Sequence, residues 1–428
     1  MKRVAIGFLG AGVVGTGVLE VLHEKRSGIE QATGCEIVVK RVLVRDPNRP
    51  RTPALSQGCL TTRPSDVLDD PEIQVVVELM GGEEPAHTYI QQALERGKQV
   101  VTANKEVIAK HGNELLQLAN EKRVNLFFEA SVGGAIPIVQ ALRRDLVANA
   151  ISEIQAIING TTNYILTDME QGHDFEPALR QAQALGYAEP DPANDIDAHD
   201  AAYKLAILST LAFRSTVSPY QVYREGISKL EAKDFRYAQE LGYTIKLVAH
   251  ARLAEDGIEV AVTPMLLPRE HQLAAVKGVF NAVLLSGDQF DKLMLYGRGA
   301  GARPTASAVV SDLCAVVRNL QAGVVDRIFI EDAVRPVKAF GDTTSRHYFR
   351  LSVADRPGVL AGIARVLGEH QISISTVIQK ETDEGAGLAE LVIMTHAAPE
   401  RRVEEALRMV STLSTVNRVC NDVRVGGK

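Results

Sequence analysis

A glycine triplet near the N-terminus constrains this chain more than any other feature. Gly10-Ala11-Gly12-Val13-Val14-Gly15 follows a short apolar run, Val4 to Phe8, and opens an amphipathic stretch, Val13 to Lys25. Strand, G-x-G-x-x-G turn and helix in that order make the dinucleotide-binding fingerprint. Gly10 permits the tight turn, Gly12 lets a pyrophosphate approach the backbone, and Gly15 lets the helix pack closely on the strand. The amides at the helix start then face the phosphates. The motif alone is weak evidence, but its surroundings strengthen it. Glu36 to Val44, Val75 to Leu79, Val100 to Thr102 and Asn125 to Phe128 are further β-rich runs with amphipathic stretches between them. That alternation predicts a doubly wound parallel sheet, a Rossmann-like domain over residues 1–130.

The end of the second strand selects between nucleotide cofactors. An acid there would accept hydrogen bonds from a ribose 2′-hydroxyl, whereas Leu43-Val44-Arg45-Asp46 places a cation where a 2′-phosphate would lie. Arg45 therefore points to NADP(H), while the adjacent Asp46 keeps NAD(H) open. Val101-Thr102-Ala103-Asn104-Lys105 ends a later strand at the carboxyl edge of the sheet, where ligands of doubly wound folds bind. A lysine in that place can reach the nicotinamide or the substrate. A plain solvated side chain is the competing reading for both Arg45 and Lys105.

The rest of the chain has a different rhythm. Residues 131–301 read as an α+β domain, with a strand at Ile154 to Ile158, helices at Thr162 to Glu170, Pro177 to Leu185 and Asp197 to Phe213, and four later strand-like runs between Ile245 and Tyr296. Gly297-Arg298-Gly299-Ala300-Gly301 then leads into a helix of about residues 302–320, whose apolar side could complete the first domain. A break over 321–347 reads as a linker. Beyond it, residues 348–428 read strand, helix, strand, strand, helix, strand, the βαββαβ order of a ferredoxin-like unit.

Composition removes several function classes. With 47 Lys plus Arg against 53 Asp plus Glu over 428 residues, the net charge of -6 gives no basic face for a phosphate backbone, so nucleic acid is not an expected partner. No uncharged run approaches the roughly 20 apolar residues of a bilayer span. Met1-Lys2-Arg3-Val4-Ala5-Ile6 goes directly into a strand with no apolar signal segment, and Cys35, Cys59, Cys314 and Cys420 are too scattered for a disulfide framework or a cysteine zinc site. A cytoplasmic location is expected.

Two clusters carry candidate chemistry. Gly186-Tyr187-Ala188-Glu189-Pro190-Asp191-Pro192 is followed by Asp195, Asp197, Asp200 and Lys204. Asp200 and Lys204 share a helix face at a four-residue spacing. Lys204 sits among Leu205, Ala206, Ile207 and Leu208, where a solvated lysine is less expected, and a half-buried lysine beside a carboxylate suits proton transfer. A surface ion pair is the bland alternative. Phe128-Glu129-Ala130-Ser131-Val132-Gly133-Gly134-Ala135-Ile136-Pro137 reads as an interdomain hinge whose carboxylate and exposed carbonyls suit a hard cation, or as a hinge and nothing more.

GFLGAGVVGTGV, VELMGG, VTANKE, FEASVGGAIPI, INGTTNYIL, GYAEPDP, the Asp200 to Lys204 helix and GRGAGARPTASAVVSDL, taken in order, resemble homoserine dehydrogenase in its bacterial form with a C-terminal ACT domain. The resemblance spans nearly the whole chain. It implies reversible NAD(P)-dependent interconversion of L-aspartate 4-semialdehyde and L-homoserine, on the route to threonine, methionine and isoleucine. It further implies that Phe8, Gly10, Ala11, Gly12, Val13 and Val14 line the pyrophosphate site, with Arg45 at the adenosine ribose and Thr102, Ala103 and Lys105 on the nicotinamide side. Gly186 and Gly301 match positions that close on the cofactor. Glu189 matches the acid that binds the substrate ammonium, Asp195 and Asp200 match acids of the same pocket, and Lys204 matches the proton donor. Glu129 with the carbonyls of Val132, Gly134 and Ile136 matches a monovalent cation site, usually sodium. No catalytic position is broken.

Leu351 to Leu360 resembles the ligand-binding turn of an ACT domain, for which threonine is the natural feedback ligand and a ligand-free dimerisation module the alternative. The expected assembly is a homodimer or homotetramer. A rival reading, phosphorylating aspartate semialdehyde dehydrogenase, requires a thiolate nucleophile in the second domain, yet no cysteine lies between residues 131 and 300. A second rival is an amino-acid-sensing protein with a vestigial nucleotide domain, against which the intact lysine and carboxylate set argues.

Overall fold

The alternating apolar runs of the first third pair into one parallel sheet. In the computed structural model, which describes residues 2–49, 52, 55, 57–328, 335–383 and 387–427, its elements are β1 (Lys2–Leu9), α1 (Val13–Glu24), α2 (Arg26–Thr33), β2 (Cys35–Leu43), β3 (Leu60–Thr61), α3 (Ser65–Leu68), β4 (Ile73–Glu78), α4 (Ala86–Glu95), β5 (Gln99–Thr102), α5 (Lys105–Lys122) and β6 (Leu126–Phe127). The strand order is β3-β2-β1-β4-β5-β6. All five pairings are parallel. The order reverses between β1 and β4, which is the switch point where such sheets bind ligands at their carboxyl ends.

These strands belong to the first of two compact units, comprising Met1–Ser152, Tyr203–Tyr220 and Asn281–Arg335. Its core includes Val4, Ile6 and Phe8 of β1, Val75 and Val77 of β4, and Val309, Leu313 and Val316 of a late helix. That helix, Ala302–Ala322, lies against α1, and a Cβ added to Gly17 would come within 3.1 Å of Ala302 O. The small glycine face of α1 is what allows so close an approach.

The remaining elements, in chain order, are α6 (Ile138–Gln140), β7 (Ile151–Ile157), α7 (Gly160–Met169), α8 (Phe175–Ala184), α9 (Ala193–Ile196), α10 (His199–Phe213), β8 (Tyr223–Arg224), α11 (Ala232–Glu240), β9 (Tyr243–Ala254), β10 (Gly257–Pro268), β11 (Phe280–Gly287), β12 (Asp291–Arg298), α12 (Ala302–Ala322), β13 (Thr344–Ala354), α13 (Val359–Glu369), β14 (Ile374–Asp383), β15 (Leu388–Thr395), β16 (Ala398–Pro399), α14 (Glu400–Ser411) and β17 (Val416–Val425). The helix expected from Asp197 starts instead at His199, because Ala198 adopts φ 63 and interrupts it. Asp195 stays behind in the separate turn α9.

In the second unit, Glu153–Ala202, Gln221–Phe280 and Pro336–Lys428, the strands run in the order β7-β9-β10-β17-β13-β15-β14. The C-terminal β13-α13-β14-β15-α14-β17 segment has its own core around Phe349, Leu351, Ile363, Leu391 and Val403. It joins the middle sheet through a short parallel register, Met265 opposite Arg424 and Leu266 opposite Val425. Part of the expected linker is not a free tether: Ile258 N donates to Pro336 O at 2.8 Å and Lys338 N to Ile258 O at 2.9 Å. Residues 329–334 of that linker lie outside the described residues. Among the described residues, no helix is long and apolar enough to cross a membrane.

Candidate active site

At the first unit's switch point the three fingerprint glycines do three different things. Gly10 has φ +99, and an added Cβ would lie 2.8 Å from Leu79 O; one at Gly15 would lie 2.8 Å from Gly10 O. Both are demanded by the fold itself. Gly12 differs, since nothing lies within 4 Å of its added Cβ. It caps α1 without any side-chain hydrogen bond, so the first-turn amides at Val13 and Val14 face open space. Phe8 is fully buried in the core, so its side chain does not line that space.

A cleft of about 530 Å³ opens there, lined by Gly10, Ala11, Gly12, Val44, Arg45, Asp46 and Arg49, with Thr62, Met80 and Tyr89 opposite. Asp46, in the same lining, accepts from Asn48 N through Oδ1 at 2.9 Å. Arg45 and Arg49 give the cleft two cations beyond the end of β2. Open helix amides, a glycine with room for a pyrophosphate and paired arginines fit a phosphorylated dinucleotide. Arg49 escaped the sequence reading because it lies beyond the expected strand end.

The β5 edge is organised by Glu78, which the sequence reading did not single out. Its carboxylate accepts from Thr102 Oγ1 at 2.6 Å and from Met80 N at 2.7 Å. Burial pushes its carboxyl above the usual range. Thr102 in turn accepts from Asn104 N at 2.9 Å. Asn104 caps α5 through Val107 N at 3.2 Å and donates to Gly82 O at 2.8 Å. Lys105, the first residue of α5, is partly exposed. Thr102 therefore positions this edge through Glu78, while Ala103 and Lys105 flank it. An acid ending an otherwise apolar strand, Val75-Val76-Val77-Glu78, was the available signal.

The second unit brings two expected acids together through a residue that was read only as part of a motif. Asn159 Nδ2 donates to Asp195 Oδ1 at 2.7 Å and to Asp200 Oδ2 at 2.9 Å. The same side chain caps α7, accepting from Thr162 N at 2.9 Å. One amide thus holds two carboxylates, and Asp200 is only 2% exposed. Glu189 sits on the exposed loop after α8, tied down where Gln183 Nε2 donates to Glu189 O at 3.2 Å and Thr161 Oγ1 to Tyr187 O at 2.6 Å. Gly186, at φ +73, makes the turn into that loop. Lys204 lies one helical turn after Asp200 on α10 and is 8% exposed, as expected for a lysine in an apolar helix.

The hinge carries a buried carboxylate pair. Glu129 is 3% exposed and accepts from Val139 N at 2.9 Å and Gln140 N at 2.7 Å, while its own N donates to Asp312 Oδ2 at 2.8 Å. Burial, with Asp312 alongside, pushes the Glu129 carboxyl up to about 7. Burial also raises Asp312 to about 6. Asp312 was read only as part of the GRGAGARPTASAVVSDL motif, with no role assigned to it. Ile136 O already accepts from Ile138 N at 2.8 Å, leaving one lone pair. A Cβ on Gly134 would lie 2.6 Å from Gly299 O, so this crossing excludes side chains. The Arg143 guanidinium acts on both acids, and a carboxylate with backbone carbonyls in the same turn is the donor chemistry a hard cation takes. Gly301 begins α12 at φ +115.

The chain is similar to known proteins over nearly its full length. The homoserine dehydrogenase family profile matches residues 137–314, the homoserine dehydrogenase NAD-binding domain profile matches 10–129, and the ACT domain profile matches 347–409. The chain is 42% identical to homoserine dehydrogenase of Pseudomonas aeruginosa over 434 residues, covering 99% of each. It superposes on the crystal structure of a homoserine dehydrogenase from Thiobacillus denitrificans with TM-score 0.94 and 44% identity, covering 100% of this chain and 99% of the other. A hyperthermophilic archaeal homoserine dehydrogenase in complex with NADPH matches with TM-score 0.62 and 28% identity over 74% of this chain and 98% of that one. The chain belongs to the homoserine dehydrogenase family, and is an NAD(P)-dependent oxidoreductase with a C-terminal ACT domain.

Proposed function

We propose that Lys204 delivers the proton when L-aspartate 4-semialdehyde is reduced to L-homoserine, and takes it back in the reverse direction. The observation that carries this reading is a lysine buried in the apolar helix α10, one turn after the buried Asp200. Hydride arrival at the aldehyde carbon turns the carbonyl oxygen into an alkoxide, which needs a cationic hydrogen-bond donor aimed at it. The nicotinamide supplies the hydride. Lys105 is the second cation for that oxygen or for the adjacent ring amide. Asp200 and Asp195, held by Asn159, accept hydrogen bonds from the substrate, and Glu189 pairs with its α-ammonium.

NADP(H) is the proposed preferred cofactor, with NAD(H) the lesser one. Arg45 and Arg49 support this, because two guanidiniums match a ribose 2′-phosphate. In the proposed cofactor site Gly10, Ala11, Gly12, Val13 and Val14 form the pyrophosphate turn, Phe8 contributes backbone only, and Gly186 and Gly301 are further proposed cofactor contacts. A sodium ion is proposed at Glu129 with the carbonyls of Val132, Gly134 and Ile136, where it would keep that acid ionised and stiffen the hinge. Threonine is proposed to bind the ACT segment, and the chain to assemble as a homodimer or homotetramer.

The proposed domains are 1–130 with the α12 helix for the nucleotide, 131–301 for the substrate, and 348–428 for regulation. The direct test is NADPH oxidation with aspartate semialdehyde, repeated with NADH and with millimolar threonine. Faster turnover with NADPH and inhibition by threonine are expected. A preference for NADH would remove the arginine argument, and indifference to threonine would remove the effector.

A further inference from the structure

Away from all of these residues, the first unit gathers a compact set of nitrogen and oxygen ligands between two helices. His87 lies in the first turn of α4, and His111 and Glu114 lie one turn apart on α5. Glu114 Oε1 stands 2.8 Å from His87 Nε2 and 3.0 Å from His111 Nδ1. The opposite nitrogen of each ring meets an acid of its own: His87 Nδ1 is 3.1 Å from Glu84 Oε1, and His111 Nε2 is 2.8 Å from Glu83 Oε1. The rings stack with centroids 4.0 Å apart and planes 17° from parallel. Lys110 Nζ holds the other oxygen of Glu83 at 2.6 Å.

Counting protons makes this arrangement informative. A neutral imidazole has one N–H. When each ring gives that hydrogen to its own outer acid, the two inner nitrogens present lone pairs to a carboxylate oxygen, a repulsive arrangement that a bound cation relieves once the near-parallel rings tilt towards it. The outer acids supply what metal-bound histidines need, since an acid on the far nitrogen fixes tautomer and ring orientation and raises ligand basicity. The inner atoms all lie within 4.8 Å of one another. Zinc bonds of about 2.0–2.2 Å in tetrahedral array need ligand separations near 3.3–3.5 Å, which the two Glu114 contacts reach by about half an ångström and the two nitrogens, within 4.8 Å, by at most about 1.5 Å. Two imidazoles with one carboxylate favour a borderline transition ion over magnesium or calcium.

We propose that His87, His111 and Glu114 form a binding site for a divalent transition metal of the zinc type, with Glu84 and Glu83 as orienting acids. Three protein ligands leave a fourth position for water on the exposed side of Glu114. The ion cross-links α4 to α5, the helix whose capping Asn104 also holds Gly82 in the loop after β4. It therefore stiffens the segment between β4 and β5 without touching the reacting groups.

The test uses the full chain, stripped with chelator and titrated at neutral pH with zinc by calorimetry and with Co(II) by visible absorption. One saturable ion per chain and tetrahedral Co(II) bands are expected, both lost in the His87→Gln/His111→Gln double variant. Glu83→Gln should weaken binding about 10- to 100-fold, the usual cost of losing an orienting acid. Unchanged melting temperature and activity of the metal-free double variant would show that it folds. Zinc uptake equal in wild type and folded double variant, or no saturable uptake by wild type, would overturn the site and leave the two rings bridged by protons alone.

Discussion

Arg350 Nε donates to Asp234 Oδ1 at 2.6 Å with both side chains closed off from solvent, so the first strand of the ACT segment is fastened to the first turn of α11 by a buried ion pair. Asp234 also accepts from Asn421 Nδ2 at 2.8 Å and completes the capping box of α11 with Glu231. Stranding one partner of such a pair costs about 3–5 kcal/mol. Arg350 also meets Glu231 at 2.8 Å and Glu390 at 3.4 Å, so Asp234→Ala should lose less than that in urea unfolding. The Asp234→Leu/Arg350→Met double variant should lose less than the sum of its single changes. Additive losses would show that the pair is not coupled.

The same ACT sheet gives stability a defined pH window. Burial opposes charge on His347, but Asp422 at 2.7 Å and Glu400 at 3.3 Å outweigh it and raise the imidazole to about 9. Burial likewise opposes the Glu400 carboxylate, yet His347 and Arg424 hold it near 2. A raised histidine contributes stability that is complete below its unfolded value of about 6.5 and is lost as pH climbs through 9; a lowered acid contributes above about 4.5 and loses it as pH falls towards 2. The contribution of this pair to the melting temperature should therefore be complete between about pH 4.5 and 6.5 and decline towards pH 9, added to the separate loss as Glu129 and Asp312 ionise through about 7 and 6. His347→Gln should flatten the alkaline decline; an unchanged slope would contradict this assignment.

Gly12 and Gly10 should separate binding from folding. Gly12 has a φ of -76 that any residue adopts, and its added Cβ meets no protein atom. Gly12→Ala should fold with an unchanged melting temperature but weaken NADPH by at least about tenfold, as read by fluorescence titration. Gly10→Ala should be destabilised by about 1–2 kcal/mol from its left-handed φ alone, with the contact to Leu79 O adding to it.

Cofactor choice should follow the two arginines. A hydrogen bond to a charged group is worth about 1.5–3 kcal/mol, or roughly 10- to 150-fold. Arg45→Ala and Arg49→Ala should each lower kcat/KM for NADPH by that factor while leaving NADH nearly unaffected. Equal losses with both cofactors would remove the 2′-phosphate from the cleft.

The fold was legible wherever residue spacing alone carries the information. The glycines following Val4 to Phe8, the alternation over residues 1–130 and the βαββαβ order after residue 348 each specify local geometry; the strands expected over 1–130 appear within two residues of their bounds, whereas β13 starts at Thr344, four residues before the expected 348, and the short β3 was not among the expected runs. The Asp200 to Lys204 spacing was equally readable, because a buried polar pair in an apolar helix is a local pattern. What escaped depends on long-range pairing. Asn159 holds Asp195 and Asp200 from 36 and 41 residues away. Asp312 meets Glu129 across 183 residues, and Arg350 finds Asp234 across 116. No periodicity records such partners, since only the folded topology brings them together.

The proton donor is tested most directly by kcat of Lys204→Ala for aspartate semialdehyde reduction at saturating NADPH, with NADPH affinity and melting temperature checked on the same protein. A fall of about 10²–10⁴ with cofactor binding intact is the predicted result; a loss of less than about tenfold would contradict the assignment of Lys204 as the proton donor.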